Sequence, residues 1–208
     1  MRLEPHPDLS SPRMSFKPLS LENRSWLAVL GKPAAAICAD LALKTGMAAT
    51  RRNSFPLMGA ASDAGWYLII AEGRDHRLIQ EPVLATLSAG CEVLTCTVQE
   101  SFLSSAATGW RDGHQRWSVT YDGEAAPGDV VAGGDLPVTF ALVRQHLTAK
   151  SQADDAGDLL LDPLFEIPIE AVRNAIGYRP DEPSPAFDGR FVLLEAIDPT
   201  LMQRLFGG

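Results

Sequence analysis

The chain has 208 residues, 46% hydrophobic and 21% charged, with 18 bases against 26 acids and a formal net charge of −8. This composition excludes a wholly disordered chain, gives enough length to bury a core without disulfide or metal, and disfavours a broad face for the phosphate backbone. The charge is graded: residues 1–60 carry eight bases against four acids (+4), residues 61–150 six against eleven (−5), and residues 151–208 four against eleven (−7).

Residues 1–14 are polar and Pro-rich, without the apolar stretch of a signal peptide. They are expected to be disordered or extraneous, with Met14 an alternative start, and a single α+β domain is expected over 15–208. No apolar run reaches the roughly 18 residues of a membrane span. Ser25 to Leu30 reads as a strand ended by Gly31. Ala34 to Leu43 reads as a helix opened near Pro33 and closed by Gly46. Phe55–Ala60 and Trp66–Ala71, separated by Ser62-Asp-Ala-Gly65, predict a hairpin.

A helix is expected from Glu81 and Pro82, with Val83, Leu84 and Leu87 inward and Gly90 beyond its end. Cys91 to Val98 alternates as a strand, which places Cys91 and Cys96 on opposite faces and makes a shared metal or a bridge between them unsuitable. Three cysteines, with Cys38, fit small buried hydrophobes in a reducing, cytoplasmic setting. The firmest local signal is Asp112-Gly113 between Phe102–Trp110 and Gln115–Tyr121, a hairpin turn between alternating strands.

A Gly-rich connection with a short strand at Val130-Val131 leads to a helix over Pro137–Lys150, whose broad apolar face includes Val138, Phe140, Leu142 and Leu147. An acidic loop over Ser151–Asp158, a helix over Pro168–Ile176 stopped by Gly177, a Pro-rich loop over Asp181–Asp188, a strand over Phe191–Ala196 and a short helix after Asp198-Pro199 complete the chain. Strands and helices interleave without strict alternation. The expected fold class is therefore α+β, a mainly antiparallel sheet with helices packed on one face.

No Gly-x-Gly-x-x-Gly or Gly-x4-Gly-Lys-Ser/Thr loop offers a phosphate cradle, and no cofactor is expected. No Gly-x-Ser-x-Gly elbow marks a nucleophile. One metal constellation can be written: Glu72, Asp75 and His76 on one loop with Asp112 and His114 on the hairpin turn. If those loops met, they would supply a hydrolytic centre, although solvation and turn geometry explain the same residues without a metal. Trp110 and Trp117 flank the turn, with Tyr121 beyond. They read as a cross-strand pair worth about 0.2–1 kcal/mol, or as exposed anchors beside Glu100, Asp112 and Asp122, since interface hot spots favour Trp and Tyr.

The stretch Gly65-Trp-Tyr-Leu-Ile-Ile-Ala71 with Asp75-His76, then Cys91–Val98, Trp110-Arg-Asp-Gly113, Trp117-Ser-Val119, Phe165–Glu170 and Gly177-Tyr-Arg179, covers about half the chain. In these segments the chain resembles small uncharacterised bacterial proteins of the toxin-immunity type. The resemblance implies an immunity role and carries no catalytic residue. The expectation is a non-enzymatic, cytoplasmic immunity or inhibitor protein that blocks a cognate toxin or secreted effector with a basic surface, without nucleic acid, membrane or metal. Its partner-binding residues are Trp110, Trp117 and Tyr121 as anchors and Glu100, Asp112, Asp181 and Glu182 as the acidic match. The alternatives are a metal-dependent hydrolase using His76 and His114, and an accessory structural subunit.

Overall fold

The computed structural model describes residues 19–49, 57–153, 162–187 and 190–197. Its centre is the apolar run before Gly31, which forms β1 (Arg24–Leu30); Trp26 to Val29 are each at most 1% exposed. Four consecutive buried side chains need cover on both faces of a strand, because successive residues point opposite ways. That cover comes from two cores. Trp26 and Ala28 face one, with Leu68, Ile70, Leu94 and Cys96; Leu27 and Val29 face the other, with Tyr67, Ile69 and Val93.

Pro33 caps α1 (Ala34–Asp40), and Ala42, at φ 51°, turns the chain into β2 (Leu43–Ala48). The sequence pattern carried this helix to Leu43 and closed it at Gly46. A strand forms here instead because Leu43, Lys44 and Thr45 pair with Ala196, Glu195 and Leu194, partners about 150 residues away. The expected hairpin is β3 (Leu57–Ala61) with β4 (Trp66–Glu72), joined through Ser62, whose hydroxyl accepts from the Trp66 N–H at 3.2 Å. Then come α2 (Glu81–Leu87), β5 (Glu92–Gln99), β6 (Ser104–Arg111), β7 (His114–Asp122) and β8 (Val130–Gly134). The last elements are α3 (Phe140–Gln152), α4 (Glu166–Ile176) and β9 (Val192–Ala196).

All nine strands join one antiparallel-paired sheet in the order β2-β9-β3-β4-β1-β5-β6-β7-β8. The fold is α+β. β1 pairs with both β4 and β5, so those two run parallel, and the chain passes from one to the other through α2. The longer helices α3 and α4 cover one face, where Phe140, Leu147, Ile169 and Val172 pack. The expectation of helices on one face holds for this pair and not for α1 and α2. These lie on the other face, where Ile37, Cys38, Leu84 and Leu87 are buried with Cys91. The cause is the central strands, which are apolar at both parities and leave a second face to be covered. Cys91 and Cys96 do sit on opposite faces, and all three cysteines are buried.

The 112–113 turn forms as expected, with Asp112 at φ 51° and Gly113 at φ 80°, the pair of positive angles that a two-residue type I′ turn requires. Beyond it the register shifts at Gly109/Trp110, so that Gly109 opposes Trp117 while Trp110 opposes Gln115. This shift sends Trp110 to the core with α2 and Trp117 to the core with α4. The two tryptophans are therefore not a cross-strand pair. On α3 only part of the broad apolar face is used: Phe140 and Leu147 are buried, but Val138, just before it, and Leu142 are 98% and 70% exposed. The 1–14 segment, the acidic loop beyond Ala153 and the helix after Asp198 fall outside the described residues.

Gly109 takes the Trp117 ring directly over its Cα, and a Cβ there would collide with the indole Nε1, Cε2 and Cδ1 atoms. Gly109→Ala is expected to destabilise the protein by about 1–3 kcal/mol or more, read as a lower urea midpoint. Gly90→Ala has open space for its Cβ and loses only the ease of a positive φ.

Candidate binding site at the acidic end of the sheet

The ends of β1, β4 and β5 that hold Arg24, Glu72 and Val98 lie together at one end of the sheet. There Asn23 adopts φ 49°, and its carbonyl accepts from Gly73 N–H at 2.8 Å while its side-chain oxygen accepts from Arg74 N–H at 3.1 Å. Ser25 donates its hydroxyl to the Gly73 carbonyl at 2.5 Å. These bonds pin the loop after β4 to the start of β1. The result is an open cleft of about 550 Å³ lined by Asn23, Glu72, Asp75, His76, Gln99 and Phe102, among others. Arg74 spans it to Gln99 Oε1 at 3.0 Å.

After β5 the chain makes a single 3₁₀ turn, Glu100–Phe102, and leaves it through Leu103 at φ 45°. A left-handed leucine is costly, because its Cβ crowds the following carbonyl. The turn holds Phe102 on the cleft side, 48% exposed, and Glu100 beside a network of ions. At the centre of that network Arg179, whose side chain is 11% exposed, grips Asp181 with two bonds of 2.7 and 3.0 Å. It also bonds both oxygens of Glu166 and reaches Glu170 at 3.2 Å. Arg173 ties Glu170 at 3.0 Å to Glu182 at 2.5 Å. Arg179 stays protonated, since hydrogen bonds and charge from Asp181 and Glu166 outweigh its burial. Four acids therefore share two guanidinium groups.

Glu100 lies next to this excess of acid. Burial, and then the charges of Glu22, Asp181 and Glu166, raise its pKa above the ordinary carboxylate value, with Arg179 opposing them. Ser101 donates to Glu22 Oε1 at 3.0 Å, which brings Glu22 into the same patch. Of the acids expected to face a partner, the structure thus brings Glu100, Asp181 and Glu182 together. Asp112 stands apart, at the opposite end of the sheet, where its carboxylate accepts from Gly90 N–H at 3.2 Å.

The aromatic residues require a correction. Trp110, Trp117 and Tyr121 are 4%, 6% and 2% exposed, so they are core residues and not surface anchors. The Trp110 indole N–H donates to Thr108 at 2.9 Å, and the Tyr121 hydroxyl donates to Asp162 at 2.8 Å. The exposed aromatic beside the acids is Phe102. The sequence pattern puts it at the start of a strand, whereas in the structure it belongs to the 3₁₀ turn that ends at the left-handed Leu103.

The metal constellation is not assembled. Glu72 pairs with Arg24 at one end of the sheet, whereas His114 pairs with Arg111 at the end where Glu92 meets Leu30. His76 Nδ1 accepts from Leu78 N–H at 3.3 Å, and burial, with help from Arg77, lowers its pKa. Among the described residues no three His, Cys, Asp or Glu side chains are grouped to hold a metal ion. No described helix is long and apolar enough to cross a membrane. Compared with known proteins, the chain matches no family model, no curated protein and no solved structure.

Two stability measurements follow from the charge geometry. Because the folded state raises the pKa of Glu100, the folded protein binds its proton more readily than the unfolded chain does, and stability falls as pH rises through that interval. Glu100→Gln is therefore expected to raise Tm at pH 7 and to leave it unchanged at about pH 3, below the ordinary glutamate pKa of about 4.3. Arg179→Met strands Glu166 and Asp181 in a half-buried site and is expected to cost about 3 kcal/mol in urea denaturation.

Proposed function

We propose that the chain is a non-enzymatic immunity or inhibitor protein that blocks a cognate bacterial toxin or secreted effector. It does so by laying the acidic end of its sheet against a basic surface of that partner. The observation that carries this reading is the placement of Glu100. A carboxylate that is partly buried and has Glu22, Asp181 and Glu166 for neighbours is destabilised in the free protein, and a cation from a partner relieves it. Phe102 supplies an exposed apolar contact on the same turn, and the pinned loop of Asn23 and Gly73 keeps the adjoining cleft open.

The structural economy of the site supports binding over chemistry. Glu166, Glu170, Asp181 and Glu182 are held by guanidinium groups, and His76 uses one ring nitrogen to cap a turn. Steric blockage needs only complementary shape and charge. Trp110, Trp117 and Tyr121 contribute by fixing the β6–β7 hairpin, not by touching the partner.

Affinity capture from the native host, followed by binding kinetics with the recovered protein, tests the reading. Glu100→Lys is expected to slow association roughly tenfold and to flatten its dependence on salt, because steering charges act mainly on the on-rate. Asp112→Asn, at the far end of the sheet, is expected to leave association unchanged. Recovery of no protein partner, or equal effects of the two substitutions, would defeat the proposal.

A further inference from the structure

The sheet has two edge strands, β2 and β8, and they are built differently. On β2, Lys44 stands exposed and paired with Glu195 at 2.7 Å, and the register breaks between Thr45 and Ala48, around Gly46. Charge and irregularity of this kind keep an edge from pairing with another chain. The edge at β8 carries no charge, and its one irregularity is Gly134 at its very end, at φ 86°. Its sequence Val-Val-Ala-Gly-Gly holds no charge and no proline, and its register with β7 runs unbroken from Val130 to Gly134. Val131 stands on it 63% exposed.

The direction of its free main-chain groups can be worked out. Asp135 N–H donates to the Arg116 carbonyl at 2.8 Å, and Trp117 pairs with Gly134. In an antiparallel ladder the bonding residues alternate, so the N–H and C=O groups of Val131 and Gly133 point to β7, and those of Val130 and Ala132 point away from it. No described strand lies on that outer side.

We propose that β8 pairs antiparallel with β8 of a second copy of this chain, about a two-fold axis through Ala132, so that the two sheets become continuous. Two features select a second copy as the occupant. Ala132 then meets its own equivalent as a doubly hydrogen-bonded pair, which the outward direction of its main chain permits. Val131 falls opposite Gly133 of the other copy on the same face, and the space above Gly133 is open where a Cβ would stand. The axis repeats each contact, as an isologous interface requires. This surface does not involve Glu100 or Phe102, so the dimer stands or falls separately from the binding role.

Sedimentation equilibrium of the full chain, from about 5 µM to about 500 µM, tests the pairing, since an interface this small is expected to associate weakly. A monomer–dimer equilibrium is expected, with Val131→Lys weakening it at least tenfold. Val131 is exposed, so an unchanged Tm for this variant confirms that folding is intact. A monomer throughout the range overturns the proposal, and so does a dimer indifferent to Val131→Lys. Register is tested with Ala132→Cys: the two Cα atoms of such a pair stand about 5.5 Å apart, within disulfide reach. Copper-phenanthroline oxidation is expected to give a covalent dimer with Ala132→Cys and none with Thr120→Cys on β7 or with the native protein, whose cysteines are buried. Equal crosslinking of the two variants overturns the register.

Discussion

The ladder that joins β1 to β4 on one side and β5 on the other holds the molecule together. Every contact between the half-sheet β2-β9-β3-β4 and the half-sheet β5-β6-β7-β8 along the hydrogen-bonded direction passes through these seven residues. Trp26 to Val29 serve both cores at once, and burial of a large apolar side chain contributes about 1.5–3 kcal/mol. Trp26 marks what this position demands: its indole N–H is buried without a hydrogen-bond partner, while its ring meets Tyr178 edge-on at 6.4 Å. Packing at the centre outweighs the unsatisfied donor, which costs about 1–3 kcal/mol.

The same ladder fixes where charge can act. Because β1, β4 and β5 end together, loops from distant parts of the chain gather there, and the acids of residues 166–182 reach Glu22 and Glu100. The net charge of the last third is partly absorbed within the fold, since Arg173 and Arg179 hold Glu166, Glu170, Asp181 and Glu182. What remains uncompensated there is the surplus around Glu100. Among the described residues, four acids at this end of the sheet thus share two arginines, and Glu22 and Glu100 lie beside them.

Local patterns were read well where short-range chemistry decides them. The positive φ angles at Asp112 and Gly113, the Gly177 stop after α4 and the Ser62–Gly65 turn depend on neighbours within a few residues. Residues 43–48 carry no local strand signal, because their strand exists only through pairing with β9. A one-residue register shift, invisible in the local pattern, puts Trp110 and Trp117 on opposite faces of the sheet. At the site, acids could be named individually, yet their grouping required the three-dimensional meeting of segments near 22, 100 and 180. Phe102 has no local signal beyond an apolar residue two positions after Glu100.

The placement of β1 also bears on how the chain is made. It is the first described strand to leave the ribosome and the middle strand of the finished sheet. Its two partners end at Glu72 and Gln99, so the second edge of β1 stays open while about 70 further residues are added. At translation rates of about 5–20 residues per second, that interval lasts roughly 4–14 seconds. For that time an apolar strand with unsatisfied backbone groups is available to chaperones or to neighbouring nascent chains. Crowded polysomes, more than purified solutions, are where this fold is most exposed to error.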